Sequence, residues 1–506
     1  MPPPAPTTLI RHGDVFRLDA TGVTARRADV RIAGTRIVEV APDLDPAEGE
    51  TVIDATGRLV LPGLINGHFH SPVNHMKGSL DSLPLEIFML WESPHHLADA
   101  VPSPREAYVR TLLAAVEMLR LGVTAVQDDA FFVPHPTPEV VDAVMRAYTD
   151  VGIRARVALD QPNVPELIKL PHLAEILPAA MRAELAEAPA FDEAALLDAY
   201  ARHIARWHDT AEGRIRAAVS CSAPQRVTPS YFAALDALSK RHDLPFYAHM
   251  LETKVQRVLG RTRFQGRSLV RYTAELGLLS ERMNLIHGIW IDDADMDLIA
   301  AAGTVVAHNP VSNLRLGSGI MPFRRLREHG VPICLGSDEA IADDTVDMWG
   351  VAKAAGLVHN LTDVDWERWP KAHEVLDCLF HGGAKAMREA DRLGAIEPGR
   401  EADLVLLDLD SLPFTPLNDL ARQLVYCGAG GAARLTMVAG RVVFDGDRVL
   451  AVDEKALRAE ARELFAARAD VTAATAAEAR RWLPWYREMT LRSHAEDVGL
   501  TRRLET

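Results

Sequence analysis

The feature of this sequence that most restricts its fold is a strand–helix alternation repeated through the middle of the chain. Eight short apolar segments typical of buried strands are separated by longer segments, most with helical periodicity. The candidate strands are residues 63–70, 123–128, 154–159, 215–220, 245–249, 284–288, 304–308 and 332–337. Eight such units in about 330 residues predict an α/β fold, a (β/α)8 TIM-like barrel of parallel strands. A doubly wound open sheet would carry a glycine-rich nucleotide-binding turn after an early strand, and the sequence shows none there.

Both ends of the chain are predicted to form a second, smaller β domain. Short β segments separated by Gly, Asp and Pro occur before residue 60 and again between residues 402 and 444. We therefore predict a small β-sandwich built from residues 1–60 and 396–452, with the barrel of residues 61–395 inserted between the two halves. Residues 453–506 have a charged helical pattern, and we interpret them as a C-terminal helical extension or an oligomer contact.

Composition and charge narrow the class of protein. The chain of 506 residues has 55 Lys+Arg against 70 Asp+Glu, and the net charge of −15 argues against a nucleic-acid partner. The N-terminus lacks the basic and apolar regions of a signal peptide, and no apolar run approaches the ~18 residues of a membrane span. The four cysteines are widely spaced, which is typical of reduced thiols. We expect a soluble, cytoplasmic protein that acts on a small molecule, with no membrane partner.

Histidine and carboxylate side chains end several of the candidate strands. His68 and His70 alternate on the first strand, so both side chains face the same way. His249, His287 and Asp338 follow at the ends of the fifth, sixth and eighth strands. This end of the strands carries the active site in barrel enzymes, and buried polar groups need partners. Each histidine alone is more often a hydrogen-bonded core residue, but their recurrence at one mouth predicts a cation site.

The stretches around these residues resemble the metal-dependent amidohydrolase superfamily. The resemblance is to the branch that contains cytosine, S-adenosylhomocysteine, methylthioadenosine and guanine deaminases and the triazine hydrolases. The matching stretches run in order along the chain, at residues 61–70, 249–253, 286–288, 308–313, 336–338 and 394–405. By this resemblance the metal ligands are His68, His70, His249 and Asp338. It further implies that Glu252 shuttles protons, that His287 contacts the nucleophile or substrate, and that the protein is a homodimer.

Two departures from the family pattern affect these expectations. Binuclear members carry a bridging carboxylated lysine at the end of the fourth strand, where this chain has residues 220–224 without lysine. We therefore expect one divalent metal ion, with zinc as the default and iron or manganese also suited to nitrogen and oxygen ligands. Cys221 lies in this segment; it could serve as a metal ligand, but we interpret it as a packed thiol, because free cysteine is commonly buried. The segment 339–344 is more acidic than the branch leads us to expect, and its role stays open.

The ligand set predicts a mechanism. A metal held by three imidazoles and one carboxylate keeps room for a water, and binding lowers the pKa of that water to roughly 7. The resulting hydroxide would attack an electrophilic carbon, while Glu252 donates a proton, Asp338 accepts one and His287 orients the nucleophile. We predict a deaminase of an amino-substituted N-heterocycle of purine, pyrimidine, pterin or triazine type. The alternatives are hydrolysis of an amide, urea, carbamate or C–Cl bond by the same centre, and a non-catalytic scaffold.

Substrate contacts are predicted from position alone. Residues 71–94 form a connection long enough for a lid, and Trp91 within it could stack on a planar heterocycle or pack in a helix core. Asp129 and Gln161, near the ends of the second and third strands, could reach substrate amines. Ser312 and Asn313 are interpreted as braces of a loop.

Overall fold

The computed structural model describes residues 7–19, 21–93, 101–132, 135–189 and 191–503. Residues 1–6 and 504–506 of the predicted domains, and residue 94 at the end of the predicted lid, lie outside the described residues.

The described residues form eighteen strands. They are β1 (Thr7–Asp19), β2 (Gly22–Ala33), β3 (Arg36–Ala41), β4 (Thr51–Asp54), β5 (Arg58–Pro62), β6 (Leu64–His70), β7 (Val123–Phe131), β8 (Arg154–Asp160), β9 (Ile215–Ala217), β10 (Val219–Ser220), β11 (Phe246–Met250), β12 (Met283–His287), β13 (Val305–His308), β14 (Ile333–Leu335), β15 (Asp338–Glu339), β16 (Leu404–Asp408), β17 (Ala433–Val438) and β18 (Arg441–Phe444). The candidate strands of the sequence are all represented, with boundaries shifted by a few residues.

Strands from the two ends of the chain pair in one eight-stranded sheet. Their order is β18-β17-β16-β5-β1-β2-β3, and β4 pairs with β1. β5 and β16 are antiparallel, with Leu61 opposite Val405. Apolar side chains from both ends, among them Val60 and Leu404, are buried in one cluster. The first and last parts of the described chain therefore fold together, with the intervening residues between them.

The middle of the chain forms two five-stranded parallel sheets, in the orders β15-β6-β7-β8-β9 and β10-β11-β12-β13-β14. β9 and β10 are separated by Ala218, whose N–H donates to the carbonyl oxygen of Val157 at 2.8 Å. β14 and β15 are separated by two residues, and Asp338 of β15 lies opposite Phe69 of β6. The fourth candidate strand is thus interrupted by one residue, and the eighth, β14, is followed after two residues by the short strand β15. These parallel sheets and the helices between them give an α/β fold.

Eighteen α-helices occur in the described part of the chain. They are α1 (Leu85–Glu92), α2 (Pro104–Arg120), α3 (Pro138–Val151), α4 (Leu173–Ile176), α5 (Ala179–Leu185), α6 (Glu193–Trp207), α7 (Pro229–His242), α8 (Lys254–Arg263), α9 (Leu269–Glu275), α10 (Asp293–Ala302), α11 (Pro310–Arg315), α12 (Phe323–Glu328), α13 (Met348–Val358), α14 (Ala372–Asp377), α15 (Gly383–Ala386), α16 (Leu420–Tyr426), α17 (Glu454–Ala466) and α18 (Ala469–Ala495). Local signals fix several ends: Ser103 forms a capping box at the start of α2, and Gly152 ends α3 at φ 91°.

The last helix packs on the body of the protein. α18 contacts α1, α4 and α8. Its buried residues Trp482, Tyr486 and Met489 share an apolar cluster with Ile87 of α1 and Val255 of α8. The C-terminal extension is therefore part of the structure around α1. None of the helices that the structure describes has the length and apolar character required to cross a membrane.

Candidate active site

Four histidines and one aspartate meet where β6, β11, β12 and β15 end or begin. Ligand atoms of His68, His70 and Asp338 all lie within 4.8 Å of one another, and so do those of His68, His249 and His287. His68 belongs to both groups, and its ring centroid lies 5.0 Å from that of His249. The other three sequence-predicted ligands, His70, His249 and Asp338, therefore lie around His68. His249 falls into a group with His287 rather than with His70 and Asp338.

The ring nitrogens of these histidines are oriented by backbone carbonyls. His70 Nδ1 lies 2.5 Å from the carbonyl oxygen of Asp129, and His249 Nδ1 lies 2.7 Å from that of Ser222. Because a carbonyl oxygen only accepts, each Nδ1 carries the proton and each Nε2 keeps a free lone pair. His68 Nε2 is buried and has no hydrogen-bond partner among the described residues. These nitrogen donors beside a carboxylate could hold a divalent cation.

The carboxyl group of Asp338 is held between imidazoles and a hydroxyl. Its Oδ1 lies 3.4 Å from His68 Nε2 and 3.5 Å from His70 Nε2, and its Oδ2 accepts a hydrogen bond from Ser312 Oγ at 2.6 Å. Burial acts to raise the pKa of Asp338, but the adjacent imidazoles of His68, His287 and His70 act in the opposite direction and outweigh it. The pKa of Asp338 lies well below its usual value, so this carboxyl is ionised.

Burial keeps the imidazoles neutral. Loss of hydration lowers the pKa of His70 to about 3 and also lowers the pKa values of His68 and His249. The neutral imidazole is the form that binds a metal ion.

The backbone adopts left-handed conformations at the site. His287 has φ 72° and Asp338 has φ 62°, and both are buried residues other than glycine. Such conformations cost free energy and persist where the surroundings fix them, commonly at functional sites. Gly336, just before β15, has no space for a side chain, because an added Cβ would lie 2.8 Å from His68 Cβ. The close approach of β15 to β6 therefore depends on glycine at this position.

A second carboxyl group lies beside His287. Glu252 Oε2 is 3.5 Å from His287 Nε2, and Glu252 Oε1 accepts from Ser318 Oγ at 3.3 Å. The other ring nitrogen, His287 Nδ1, lies 2.9 Å from Asn313 Oδ1. Burial raises the pKa of Glu252 to about 7, although the adjacent His287 acts in the opposite direction. Glu252 can therefore hold or release a proton near neutral pH.

These groups line a cavity with apolar and acidic walls. Glu252, His287 and Asp338 form part of its lining. The apolar lining includes Leu85, Met89, Phe131, Leu170, Trp482 and Tyr486. The residues from α18 were not expected from the sequence, where this helix appeared to be an extension or an oligomer contact. Its role depends on how it packs against α1, which local sequence does not encode.

Of the three predicted substrate contacts, Trp91, Asp129 and Gln161, only Gln161 is among the described lining residues of this cavity. Gln161 lines the cavity, with its Nε2 donating to the carbonyl oxygen of Phe132 at 2.8 Å. Trp91 lines a neighbouring cavity, whereas Leu85 and Met89 of the same helix line the first one. Asp129 accepts from Ser220 Oγ at 3.1 Å and is absent from the described lining residues. A substrate contact by Trp91 or Asp129 therefore stays a prediction; the carbonyl oxygen of Asp129 orients His70.

Sequence reasoning missed two positioning residues and left two segments open. Ser312 and Asn313, interpreted as loop braces, contact Asp338 and His287 through their side chains. Of the acidic segment 339–344, the described lining of the cavity includes Glu339. Burial, and then the charge of Glu92, raise the pKa of Glu339 well above its usual value. Cys221 is buried with Sγ 3.9 Å from the carbonyl oxygen of Tyr247, as expected for a packed thiol.

Buried imidazoles and an ionised aspartate at the ends of parallel strands, beside a glutamate that can hold a proton, are typical of a metal-dependent hydrolase. The chain belongs to the amidohydrolase family, whose model matches residues 59–443. This family and the relatives described next make the protein an enzyme, a hydrolase of C–N bonds.

The chain is similar to deaminases along most of its length. It is 30% identical to a 5′-deoxyadenosine deaminase of Methanothermobacter thermautotrophicus over 439 residues, which cover 87% of this chain and 93% of the relative. It is 32% identical to a 5-methylthioadenosine/S-adenosylhomocysteine deaminase of Nitratidesulfovibrio vulgaris over 462 residues, covering 90% and 96% of the two chains.

Two solved structures with bound zinc are also similar. An adenosine deaminase of Xanthomonas campestris has a TM-score of 0.78 at 26% identity, covering 92% of this chain and 99% of that one. An atrazine chlorohydrolase of Arthrobacter aurescens has a TM-score of 0.80 at 25% identity, covering 90% and 99%. The family and these neighbours imply a TIM-barrel-like α/β fold, which the parallel sheets fit.

Proposed function

We propose that this protein is a mononuclear metal-dependent deaminase that releases ammonia from the 6-amino group of adenosine derivatives. The observation that carries the proposal is the position of Glu252, whose carboxyl faces His287 beside the group of His68, His70 and Asp338. The relatives named as deaminases of 5′-deoxyadenosine and of 5-methylthioadenosine/S-adenosylhomocysteine support this substrate class.

The metal centre is proposed to hold one divalent ion, zinc, with iron and manganese as the other candidates. The ligands would be His68, His70, His249 and Asp338. The free Nε2 lone pairs and the ionised aspartate support this set, and so does zinc in the related structures. When bound, the ion supplies a water activated for attack at neutral pH.

The protein groups then have separate roles. Glu252, buried and able to hold a proton near neutral pH, is proposed to protonate the ring nitrogen or the leaving amine. Asp338, kept ionised by the surrounding imidazoles, accepts a proton. His287, held by Asn313, orients the nucleophile at the reacting carbon. These roles require a substrate whose amino group points at the metal ligands.

The cavity is suited to a planar heterocycle. Phe131, Trp482 and Tyr486 supply aromatic surface, and Leu85 and Met89 supply aliphatic surface. Binding sites for such ligands are mostly apolar, with a few polar groups that fix orientation. This lining supports a purine ring placed between α1 and α18.

The finer architecture is proposed as follows. The pairing order, together with the short breaks between β9 and β10 and between β14 and β15, supports one closed (β/α)8 barrel over residues 61–395. The eight-stranded sheet, with its own apolar cluster, supports a β-sandwich from residues 1–60 and 396–452. The C-terminal extension would span 453–506. A homodimer and a cytoplasmic location stay predictions.

A substrate panel tests the proposed function. Metal-stripped protein and protein reloaded with one equivalent of zinc are incubated with 5′-deoxyadenosine, 5-methylthioadenosine and a chlorotriazine, while ammonia and chloride are measured. We expect zinc-dependent release of ammonia from both nucleosides. Chloride release from the triazine, with no ammonia from either nucleoside, would favour the alternative hydrolase.

A further inference from the structure

A second cavity, of about 450 Å³, lies next to the catalytic one. It is lined by the residues that follow β6 and by residues of α2, α17 and α18. Glu92 and Phe131 line both cavities, so the two are adjacent. None of the four proposed metal ligands is among the described lining residues of the second cavity. It is therefore separate from the proposed metal centre.

The guanidinium of Arg110 lines this second cavity without a counter-ion. Arg110, on α2, is 7% exposed, and its Nε is a buried atom that has no hydrogen-bond partner in the described part of the chain. The nearby carboxylate of Glu106 pairs with Arg468 instead, at 3.1 Å. Burial lowers the pKa of Arg110 to about 10, so the group stays charged at neutral pH. A buried charge without a partner costs free energy, which an anion in the cavity would recover.

Positive charge exceeds negative charge in the described lining. Glu106 is engaged by Arg468, and burial raises the pKa of Glu92 to about 7, so Glu92 is only partly ionised at neutral pH. Burial, and then the charges of Arg110 and Arg468, lower the pKa of His75 to about 3, so this imidazole is neutral. The ionisable lining residues are His75, Glu92, Glu106, Arg110, Arg468 and Arg480.

Much of the remaining lining is apolar. It includes Val73, Met76, Leu80, Trp91, Phe131 and Phe465. The Phe465 ring stacks on that of His75, with centroids 4.6 Å apart and planes 23° from parallel. Sites for small organic molecules typically have volumes of about 300–1,000 Å³ and mostly apolar walls with a few polar anchors. The lining therefore suits an organic anion better than a bare inorganic ion.

We propose that this cavity binds an organic monocarboxylate, with the carboxylate on Arg110 and an apolar or aromatic body against Trp91 and Phe465. The N–H groups of a guanidinium can donate to both oxygens of one carboxylate. A single negative charge matches the single buried guanidinium of the described lining. This binding site goes beyond the proposed deaminase activity and does not depend on it.

Three probes test the inference by isothermal titration calorimetry of the zinc-loaded protein. Benzoate carries both the charge and the apolar body, benzamide lacks the charge, and inorganic phosphate lacks the apolar body. We expect benzoate to bind at least about tenfold more tightly than either of the others. Metal-stripped protein should bind benzoate equally well, because the proposed metal ligands lie outside this cavity. Absence of benzoate binding, equal affinities for the three probes, or loss of benzoate binding with the metal would overturn the inference.

Variants assign benzoate binding to Arg110. Arg110→Met removes the charge, and Arg146→Met, at an exposed position on α3, is the matched control. We expect Arg110→Met to lower the affinity for benzoate by at least about tenfold and Arg146→Met to leave it unchanged. Without benzoate, the Tm of Arg110→Met should equal or exceed that of the wild type, because a buried charge without a counter-ion is removed. Wild-type benzoate affinity in Arg110→Met would overturn the inference.

A structural measurement needs no variant. Crystals of the zinc-loaded wild-type protein are soaked with 4-bromobenzoate, and the bromine is located by its anomalous scattering. We expect the bromine in the second cavity, with the carboxylate on Arg110. Bromine in the catalytic cavity alone, or in neither cavity, would overturn the inference.

Discussion

The Oε2 atom of Glu252 lies 3.5 Å from Nε2 of His287, and both side chains are almost completely buried. This pair joins the ends of two neighbouring strands, since Glu252 follows β11 and His287 ends β12. A carboxyl group whose pKa is raised to about 7 thus lies next to an imidazole oriented by Asn313. We expect this pair to transfer protons beside the proposed metal ligands without a solvent-exposed acid.

Glu252→Gln should remove proton transfer while leaving the metal ligands in place. We expect kcat to fall by about 10²–10⁴-fold, the usual contribution of a positioned acid or base. Bound zinc, measured by elemental analysis, should stay at the wild-type level. Glu463→Gln, at an exposed position on α17, is the matched control and should keep full activity. An active Glu252→Gln enzyme would exclude the assigned role.

The pH profile should follow the ionisation of Glu252. Its folded pKa is raised to about 7, so the protonated donor predominates below that pH and disappears above it. We expect log(kcat/KM) to decline above pH 7 with a slope near −1. The residual activity of Glu252→Gln should lack this inflection. Persistence of the inflection in that variant would assign it to another group.

Ser312→Ala should weaken metal binding. Ser312 Oγ donates to Asp338 Oδ2 at 2.6 Å, and partners of this kind typically change metal affinity by about 10–100-fold. We expect the zinc affinity of Ser312→Ala to be lower by at least about tenfold, measured by competition with a fluorescent chelator. Ser79→Ala, at an exposed serine, is the control. Unchanged zinc affinity in Ser312→Ala would show that this hydroxyl does not contribute to metal binding.

Asn313 should act through the orientation of His287. Asn313→Leu removes the oxygen that accepts from His287 Nδ1, and we expect kcat to fall about tenfold with little change in KM. Asn313→Asp keeps an acceptor at that position and should recover most of the lost kcat. Equal loss in both variants would indicate a structural role instead.

Trp482 should contribute to substrate binding from α18. Trp482→Ala is expected to raise KM by about tenfold, because the residue lines the cavity and supplies stacking surface. Trp485→Ala is the matched control, since Trp485 packs in the same apolar cluster and is not among the described cavity residues. Thermal unfolding of both variants separates lost stability from lost contact. An equal change in KM in the two variants would contradict a direct contact between Trp482 and the substrate.

The histidines of the site were predictable because their signal is local. His68 and His70 occupy alternate positions of an apolar strand, and that period alone places them on one face. Asp338 was expected at the end of the last strand; the structure instead places it at the start of the short strand β15, after a break. Strand interruptions of two residues leave no clear trace in hydrophobic periodicity.

The positioning residues and the cavity wall were not predictable from local pattern. Asn313 is separated by 26 residues from His287, and a turn-forming sequence gives no indication of a tertiary partner. Trp91 had the expected chemistry for stacking, but its direction from α1 depends on helix rotation. Trp482 lies nearly 400 residues after Leu85, and both line the same cavity. Such relationships arise from packing of distant segments.

The pairing of β5 with β16 constrains how the chain is made. About 340 residues separate these two strands, so β5 leaves the ribosome long before its neighbour is synthesised. Until then the edge of β5 that pairs with β16 is open, and unpaired edges promote aggregation. Nascent chains halted before residue 404 should therefore bind holdase chaperones more strongly than chains extended past residue 444, in which all three C-terminal strands are present.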